Sequence, residues 1–271
     1  MKFVKMQGCG NDFIIFESSD FVTEDLTAWS ERVCDRRYGI GADGVIIIRD
    51  SDRADKKIEI YNSDGTRAKM CGNGIRCVGR ILYDHGMNRK HKISIETDAG
   101  IRDLRLAEDN MISVDMGEPL LETKGIPVMG EKNIMVNERI EVCNTQYKFT
   151  AVSMGNPHAV LFVEDTDKIN IERIGISLEY HPIFPERTNV EFVKVTDRQN
   201  LEMRVWERGA GETPACGTGA CAAVVAAVLN NLTDDTVKVK LKGGNLFVRW
   251  NRKVNRVYMK GPAVKVFDGE I

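Results

Sequence analysis

Two copies of one short pattern constrain this chain more than any other feature. Cys71-Gly72-Asn73-Gly74 and Cys216-Gly217-Thr218-Gly219 lie 145 positions apart (216 − 71), and each immediately precedes a stretch that is predicted to form a buried helix. The same offset relates Gly10-Asn11-Asp12-Phe13 to Gly155-Asn156-Pro157-His158, and both of these precede apolar runs. The same offset repeated over several motifs predicts that the chain consists of two structurally equivalent halves.

The length of 271 residues suits two domains better than one core. We expect an N-terminal half over residues 1–117, joined by 263–271 and carrying Cys71, and a C-terminal half over 118–262 that carries Cys216. The active site is expected in the cleft between them. β-branched and alternating patterns predict many strands, and helices are predicted at 25–35, 74–85, 169–178 and 219–229. The expected fold class is α+β, with two pseudo-symmetric domains that each wrap a curved, mostly antiparallel sheet around one central helix.

Composition excludes several classes of function. A net charge of −2 gives no general attraction to nucleic acid or to a membrane surface, and no apolar run has the length of a signal peptide or a membrane span. Seven cysteines, an odd number, favour a reducing compartment over a disulfide framework. The histidines show no spacing typical of metal ligands. We therefore expect a cytoplasmic protein without a metal.

The position of the two cysteines indicates a chemistry. A thiol at a helix start lies beside backbone N–H groups and the positive end of the helix dipole, which favour its ionised form. If two such thiols face one carbon, one can remove a proton while the other returns a proton to the opposite face. That is a two-base racemisation, and the N–H groups at Asn73-Gly74 and Gly217-Thr218 would stabilise the charge that develops on a carboxylate.

Six motifs carry a resemblance to a known family, the diaminopimelate epimerases, and the resemblance spans the whole chain. The motifs are Gly8-Cys9-Gly10-Asn11-Asp12-Phe13, Asn62-Ser63-Asp64-Gly65, Met70-Cys71-Gly72-Asn73-Gly74-Ile75-Arg76-Cys77, Ser153-Met154-Gly155-Asn156-Pro157-His158, Phe184-Pro185-Glu186-Arg187-Thr188-Asn189, and the run from Glu207-Arg208 to Cys216-Gly217-Thr218-Gly219. The resemblance implies cofactor-independent conversion of L,L-diaminopimelate to meso-diaminopimelate, without pyridoxal phosphate or metal, in lysine and peptidoglycan-precursor biosynthesis. It also implies a homodimer, with Phe267 as a candidate contact.

The resemblance also implies roles for individual residues. Cys71 and Cys216 correspond to the proton donor and acceptor pair, and His158 and Glu207 correspond to residues that tune the thiol pKa values. The remaining matches correspond to groups that hold a small amino acid substrate: Asn11, Asn62, Gly72, Asn73, Asn156, Asn189, Glu207, Arg208, Gly217 and Thr218.

Two other functions are compatible with these motifs. The first is a sibling racemase, also independent of pyridoxal phosphate, that acts on another amino acid of the histidine or proline type. Asn62, Asn156, Asn189 and Arg208, which would hold a distal amino acid head, argue against it. The second is a non-catalytic redox sensor in which Cys71 and Cys216 form a reversible disulfide. The repeated carboxylate-binding motifs would have no purpose in such a sensor.

Overall fold

The computed structural model describes residues 1–17, 25–86 and 92–271, and the α+β fold class predicted from the sequence is confirmed. Strands dominate the described residues. The chain divides into two compact units, residues 1–115 with 260–271 and residues 116–259. None of the described helices has the length and apolar content needed to cross a membrane.

The first part of the chain forms a mixed sheet and two helices. They are β1 (Lys2–Gly8), β2 (Asn11–Glu17), α1 (Leu26–Cys34), β3 (Gly44–Arg49), β4 (Lys56–Asn62), β5 (Arg67–Ala68), α2 (Gly72–Asp84), β6 (Ile93–Thr97), β7 (Gly100–Leu106) and β8 (Ile112–Gly117). Most neighbouring strands are antiparallel, but β2 pairs with β3 and β4 pairs with β6 in parallel.

The second part of the chain repeats this order. A short 3-10 helix (Thr123–Gly125) precedes β9 (Glu138–Val142), β10 (Thr145–Ser153), β11 (Pro157–Phe162), α3 (Ile171–Glu179), β12 (Asn189–Asp197), β13 (Asn200–Glu207), β14 (Gly211–Thr213), α4 (Gly217–Leu229), β15 (Thr236–Leu241), β16 (Gly244–Asn251), β17 (Arg256–Gly261) and β18 (Val264–Glu270). The last strand, β18, pairs with β1.

The repeat in the sequence is also a repeat in strand register. Phe13 pairs with Gly44 between the parallel strands β2 and β3, and His158 pairs with Asn189 between β11 and β12, so both partners shift by the same 145 positions. Helices α1 and α3 start and end at the same offset. Each unit therefore places its cysteine at an equivalent point relative to its own sheet.

Helix α4 is apolar on all sides because it is enclosed by strands of its own unit. Its residues from Gly219 to Val228 are buried, and it packs against β10, β11, β12, β15 and β16. Helix α2 packs against β1, β2, β7 and β18, and its last residue, Asp84, is exposed. Both helices begin two residues earlier than the sequence predicts, because Cys71 and Cys216 are extended N-cap residues and the glycine after each is already helical.

Candidate active site

The first cysteine lies at the N-terminus of α2. Cys71 has extended backbone angles (φ −135°, ψ 119°), and the first intrahelical bond runs from Ile75 N–H to its carbonyl. The amides of Gly72, Asn73 and Gly74 precede that bond and are directed along the helix axis toward the cysteine end. The Cys71 side chain is half-buried. This geometry combines a reachable thiol with amide donors suited to an anion.

The side chain of Asn11 connects the cysteine to the preceding hairpin. Cys71 Sγ donates to Asn11 Oδ1 at 3.6 Å, and Asn73 Nδ2 donates to the same oxygen at 3.2 Å. The other end of the amide, Nδ2, donates to Asp43 Oδ2 at 2.8 Å. Asp43 therefore fixes which end of Asn11 faces the thiol. We refer to Asn11, Cys71 and Asn73 as the Cys71 group.

A buried arginine supports the Cys71 group from inside the helix. Arg76 is fully buried, and its Nη2 donates to Asn73 Oδ1 at 2.8 Å while its Nη1 donates to the Gly72 carbonyl at 3.0 Å. Its Nε donates to the Pro262 carbonyl at 3.2 Å. The guanidinium thereby holds the first turn of α2 and the Asn73 side chain in place. This role of Arg76 is not predicted from the sequence, because an arginine on a helix is usually exposed.

The second cysteine is more deeply buried than the first. Cys216 is 5% exposed, and its sulfur accepts from Gly219 N–H at 3.4 Å and lies 3.4 Å from Thr218 Oγ1. Burial raises the pKa of this thiol well above its ordinary value, and the negative charges of Glu207 and Glu191 raise it further. The hydrogen bonds from Thr218 and Gly219 act in the opposite direction. The thiol form of Cys216 is therefore favoured by its surroundings.

A chain of polar side chains leads away from Cys216 into the core. Asn156 Nδ2 donates to Thr218 Oγ1 at 3.3 Å, and Asn156 Oδ1 lies 3.0 Å from His158 Nε2. On the other side of the ring, His158 Nδ1 lies 2.7 Å from Glu191 Oε1. His158 and Glu191 are both 0% exposed. We refer to these five residues, Cys216, Thr218, Asn156, His158 and Glu191, as the Cys216 group.

Glu191 is a member of the Cys216 group that is not predicted from the sequence. Its signal is a single carboxylate in the otherwise apolar start of β12, Val190-Glu191-Phe192-Val193, at a position whose side chain is completely buried. Burial raises the pKa of Glu191 and the charge of Glu207 raises it further, whereas the charge and hydrogen bond of His158 and a backbone hydrogen bond act in the opposite direction. A charged residue that alternates into a buried face is rare without a partner.

A third set of predicted residues lies together in the second unit. Asn189 Oδ1 accepts from Arg208 N–H at 3.0 Å, and Asn189 Nδ2 donates to the Pro157 carbonyl at 2.8 Å. The Arg208 guanidinium is exposed and donates to the Glu186 carbonyl at 2.9 Å. Thus Asn189 links the residue before His158 to the turn that carries Arg208.

The last two predicted side chains make local contacts. Glu207 accepts a short hydrogen bond from the Thr213 hydroxyl, and its charge acts on Cys216. Asn62 ends β4, is exposed, and donates to Thr66 Oγ1 at 2.9 Å. It pairs with Gly44, next to the Asp43 that holds Asn11. Across residues 1–17, 25–86 and 92–271, no three histidine, cysteine or acidic side chains are arranged to hold a metal ion.

Comparison with known proteins identifies relatives over the whole chain. The family model described as diaminopimelate epimerase matches residues 3–122 and 150–266. A diaminopimelate epimerase of Acetivibrio thermocellus is 50% identical over 275 aligned residues, covering 100% of this chain and 98% of the relative. A diaminopimelate epimerase of Desulfitobacterium hafniense is 48% identical, covering 99% of this chain and 97% of the relative.

Solved structures share the fold at much lower identity. A Bacillus anthracis phenazine biosynthesis protein of the PhzF family has a TM-score of 0.72 at 17% identity, covering 100% of this chain and 98% of that protein. A hydroxyproline epimerase from Agrobacterium vitis, solved with bound trans-4-hydroxy-L-proline, has a TM-score of 0.69 at 13% identity, covering 99% and 91% of the two chains. At these identities the likeness concerns the fold alone.

Proposed function

Because this chain belongs to the diaminopimelate epimerase family, we propose that it interconverts L,L- and meso-diaminopimelate by inverting one α-carbon. It is an isomerase of the epimerase class. The observation that carries this function is the family match over both halves of the chain, together with a cysteine at the N-terminus of the central helix in each half. The product is a precursor of lysine and of peptidoglycan in the family's pathway.

The proposed mechanism uses Cys71 and Cys216 as a base and an acid on opposite faces of the α-carbon. The thiolate takes the α-proton, the electron pair is left on the carbon, and the opposite thiol delivers its proton to the other face. Each turnover leaves the two sulfurs with exchanged protonation states, so the reverse reaction uses the opposite roles. The proposal requires the two cysteines to reach one substrate from their separate units, in a cleft that excludes water.

Stabilisation of the carbanion would come from the helix N-termini. The amides of Gly72 and Asn73, and those of Gly217 and Thr218, would donate to the carboxylate next to the reacting carbon, at about 3 kcal/mol for each well-placed donor. Asn11, Asn62, Asn156, Asn189, Glu207 and Arg208 would hold the other amino and carboxylate groups. Support comes from the anchoring of Arg208 by Asn189 and from its exposed guanidinium, which suits bidentate binding of a carboxylate.

The direct test is proton exchange at the α-carbon. The reduced protein is incubated in D₂O with L,L-diaminopimelate and no added cofactor, and loss of the α-proton signal is followed by NMR, with L-histidine and L-proline as parallel substrates. Rapid exchange confined to diaminopimelate is expected. Exchange with histidine or proline alone would show a sibling racemase, and the absence of exchange with all three would refute the proposed activity.

The two-base mechanism is tested separately by Cys71→Ala and Cys216→Ala. Each variant alone is expected to abolish epimerisation, because either face then lacks its proton carrier. Cys143→Ala is the matched control, since Cys143 is half-buried and contacts Ser177 at 3.3 Å instead of a candidate substrate residue. Normal epimerisation by either of the first two variants would contradict the mechanism.

We further propose that the enzyme acts in the cytoplasm as a homodimer. The odd number of cysteines, seven, supports a reducing compartment over a disulfide framework. The exposed apolar side chains of β18, Val264, Val266 and Phe267, support a contact with a second copy. Sedimentation equilibrium is expected to give twice the chain mass, and Val266→Asp to reduce it. A monomeric wild-type protein would contradict the dimer.

A further inference from the structure

Two buried polar side chains of the second unit replace two apolar ones of the first. His158 and Glu191 lie 145 positions after Phe13 and Ile46. A Cβ atom added to Gly74 would meet Ile46 Cδ1 at 2.7 Å, and a Cβ atom added to Gly219 would meet Glu191 Oε1 at 2.6 Å. The two side chains therefore occupy the same place beside their helices. Since the fold accepts an apolar pair there, packing alone does not account for the polar pair.

The polar pair is costly to bury. Both side chains are 0% exposed, and Glu191 Oε2 is buried without a hydrogen-bond partner among the described residues. Burying polar side chains away from water costs free energy, and a buried carboxylate oxygen that makes no hydrogen bond adds to that cost. The first unit has phenylalanine and isoleucine at the equivalent positions. The polar pair of the second unit therefore has a role other than stabilising the fold.

The hydrogen bonds of the Cys216 group run in one direction. Asn156 donates to Thr218 through Nδ2, so the oxygen Oδ1 faces His158, and His158 Nε2 must carry a hydrogen to reach it. Nδ1 then shares a hydrogen with Glu191 Oε1 over 2.7 Å. Because Thr218 Oγ1 accepts from Asn156, its own hydroxyl hydrogen is left for Cys216 Sγ at 3.4 Å.

We propose that Glu191 is a positioning residue of the Cys216 group. It anchors the His158 ring with its Nε2 hydrogen directed at Asn156, and this orientation fixes the Asn156 amide so that the Thr218 hydroxyl donates to Cys216 Sγ. When the sulfur becomes a thiolate during the proposed epimerisation, it accepts hydrogen bonds from two donors, Thr218 O–H and Gly219 N–H. The purpose of this positioning therefore rests on the proposed function.

Glu191 has two opposite effects on the ionisation of the Cys216 thiol. The groups that face the two residues are His158 on β11, Glu191 on β12 and Glu207 on β13, beside Cys216 at the start of α4. The negative charge of Glu191 disfavours the thiolate, whereas the orientation it imposes favours the thiolate. Two substitutions separate the effects. Glu191→Gln removes the charge and keeps a partner for His158 Nδ1, and Glu191→Ile, the residue of the first unit, removes both.

The first experiment measures the alkylation rate of Cys216 by iodoacetamide at pH 8, resolved by mass spectrometry of its peptide. Glu191→Gln is expected to react faster than the wild type. Glu191→Ile is expected to react about tenfold more slowly than Glu191→Gln, because the donor from Thr218 is no longer directed at the sulfur. In a Thr218→Val background this tenfold difference is expected to vanish. Glu202→Gln, which removes a carboxylate that pairs with Lys240 on the surface, is the control.

Equal rates for Glu191→Gln and Glu191→Ile, or a difference that persists in Thr218→Val, would overturn the positioning role. If Glu191→Ile fails to fold, the double variant His158→Phe/Glu191→Ile replaces it, because it reproduces the Phe13 and Ile46 pair. A long-range ¹H–¹⁵N spectrum of the histidine rings gives an independent check. A hydrogen on Nε2 of His158 is expected in the wild type, and an unprotonated Nε2 would also overturn the inference.

Neither readout needs a substrate, so the inference and the proposed function fail separately. If Thr218-dependent coupling is found but the wild type does not exchange the α-proton of diaminopimelate, the positioning role stands and the proposed function falls. If the wild type epimerises diaminopimelate without that coupling, the function stands and Glu191 has no positioning role.

Discussion

Asn11 and Asn156 occupy equivalent positions in the two repeats and present opposite ends of their amides toward the cysteines. Asn11 directs its oxygen at Cys71 Sγ, at 3.6 Å, whereas Asn156 directs its nitrogen at Thr218 Oγ1, at 3.3 Å. The thiol of Cys71 therefore has a hydrogen-bond acceptor beside it, whereas the sulfur of Cys216 has hydrogen-bond donors beside it. In the proposed two-base reaction, one sulfur is a thiol while the other is a thiolate, and the donors at Cys216 would stabilise that sulfur when it is the thiolate.

Removal of the Thr218 hydroxyl is expected to slow the reaction without unfolding the protein. Thr218→Val keeps the shape of the side chain but removes the donor to Cys216 Sγ. The loss of one hydrogen bond to a charged group predicts a fall of roughly tenfold to a hundredfold in kcat/KM for epimerisation. Thr218→Ser retains the hydroxyl and is expected to recover most of this loss. Equal activities of the valine and serine variants would contradict the role of the hydroxyl.

The two glycines at the third helical positions are expected to respond differently to alanine. A Cβ atom on Gly219 would lie 2.6 Å from Glu191 Oε1 and 3.3 Å from Cys216 Sγ. The carboxylate is held by His158, so we expect Gly219→Ala to lower the free energy of unfolding by about 1–3 kcal/mol. Gly74→Ala meets the end of the Ile46 side chain, which can rotate, and is expected to cost less. Urea unfolding of both variants measures the difference, and the reverse order would contradict it.

Arg76 is expected to be essential for the stability of the first unit. Its guanidinium donates to the Gly72 carbonyl, to Asn73 Oδ1 and to the Pro262 carbonyl, all at 2.8–3.2 Å. Arg76→Met leaves these buried acceptors without their donor, which predicts a loss of about 3–5 kcal/mol in the free energy of unfolding.

The control for Arg76 lies one turn further along the same helix. Arg80 makes an ion pair with Asp84 at 2.9 Å near the surface, so Arg80→Met is expected to cost about 0.5 kcal/mol or less. Chemical denaturation of both variants, followed by circular dichroism, gives the comparison. Similar losses for the two substitutions would show that the buried network does not stabilise α2.

The repeat explains why much of the fold can be predicted from the sequence. Glycine at the start of a helix, asparagine in a turn and runs of β-branched residues are local signals, and each occurs twice in the same register. These signals predict a helix after Cys71 and another after Cys216, although both helices begin two residues earlier than predicted, and they also predict the enclosed position of α4. These local signals are sufficient to predict the α+β class.

Strand β18 is not predicted from the sequence, because it has no burial pattern. Strand β18 is exposed along most of its length and is held by pairing with β1, so its side chains carry no alternation to detect. The burial of Glu191 and Arg76 is not predicted for a different reason. Their charges suggest exposure, and only the tertiary contacts with His158 and with Asn73 reveal that they are buried parts of the site.

The stability of the folded protein is expected to depend on pH through Asp12, next to Asn11. The Asp12 carboxylate lies 2.6 Å from Lys5 Nζ, which is buried, and 2.6 Å from Arg36 Nη2. Burial raises the pKa of Asp12, but the hydrogen bonds and charges of Arg36 and Lys5 outweigh it and lower the pKa to about 2, from an ordinary value of 3.8. The folded protein therefore binds the proton of Asp12 less readily than the unfolded chain does.

Because the folded-state pKa is the lower one, this interaction stabilises the folded protein above about pH 4, and the stabilisation is lost as the pH falls through about 2. Asp12→Asn is expected to lower the free energy of unfolding at pH 7 by about 1–2 kcal/mol, a value reduced for the partial exposure of the carboxylate. The gap between wild type and variant should narrow as the pH is lowered from 4 toward 2. Urea unfolding across this range, with exposed Asp52→Asn as control, measures the gap, and a gap that widens in acid would contradict the assignment.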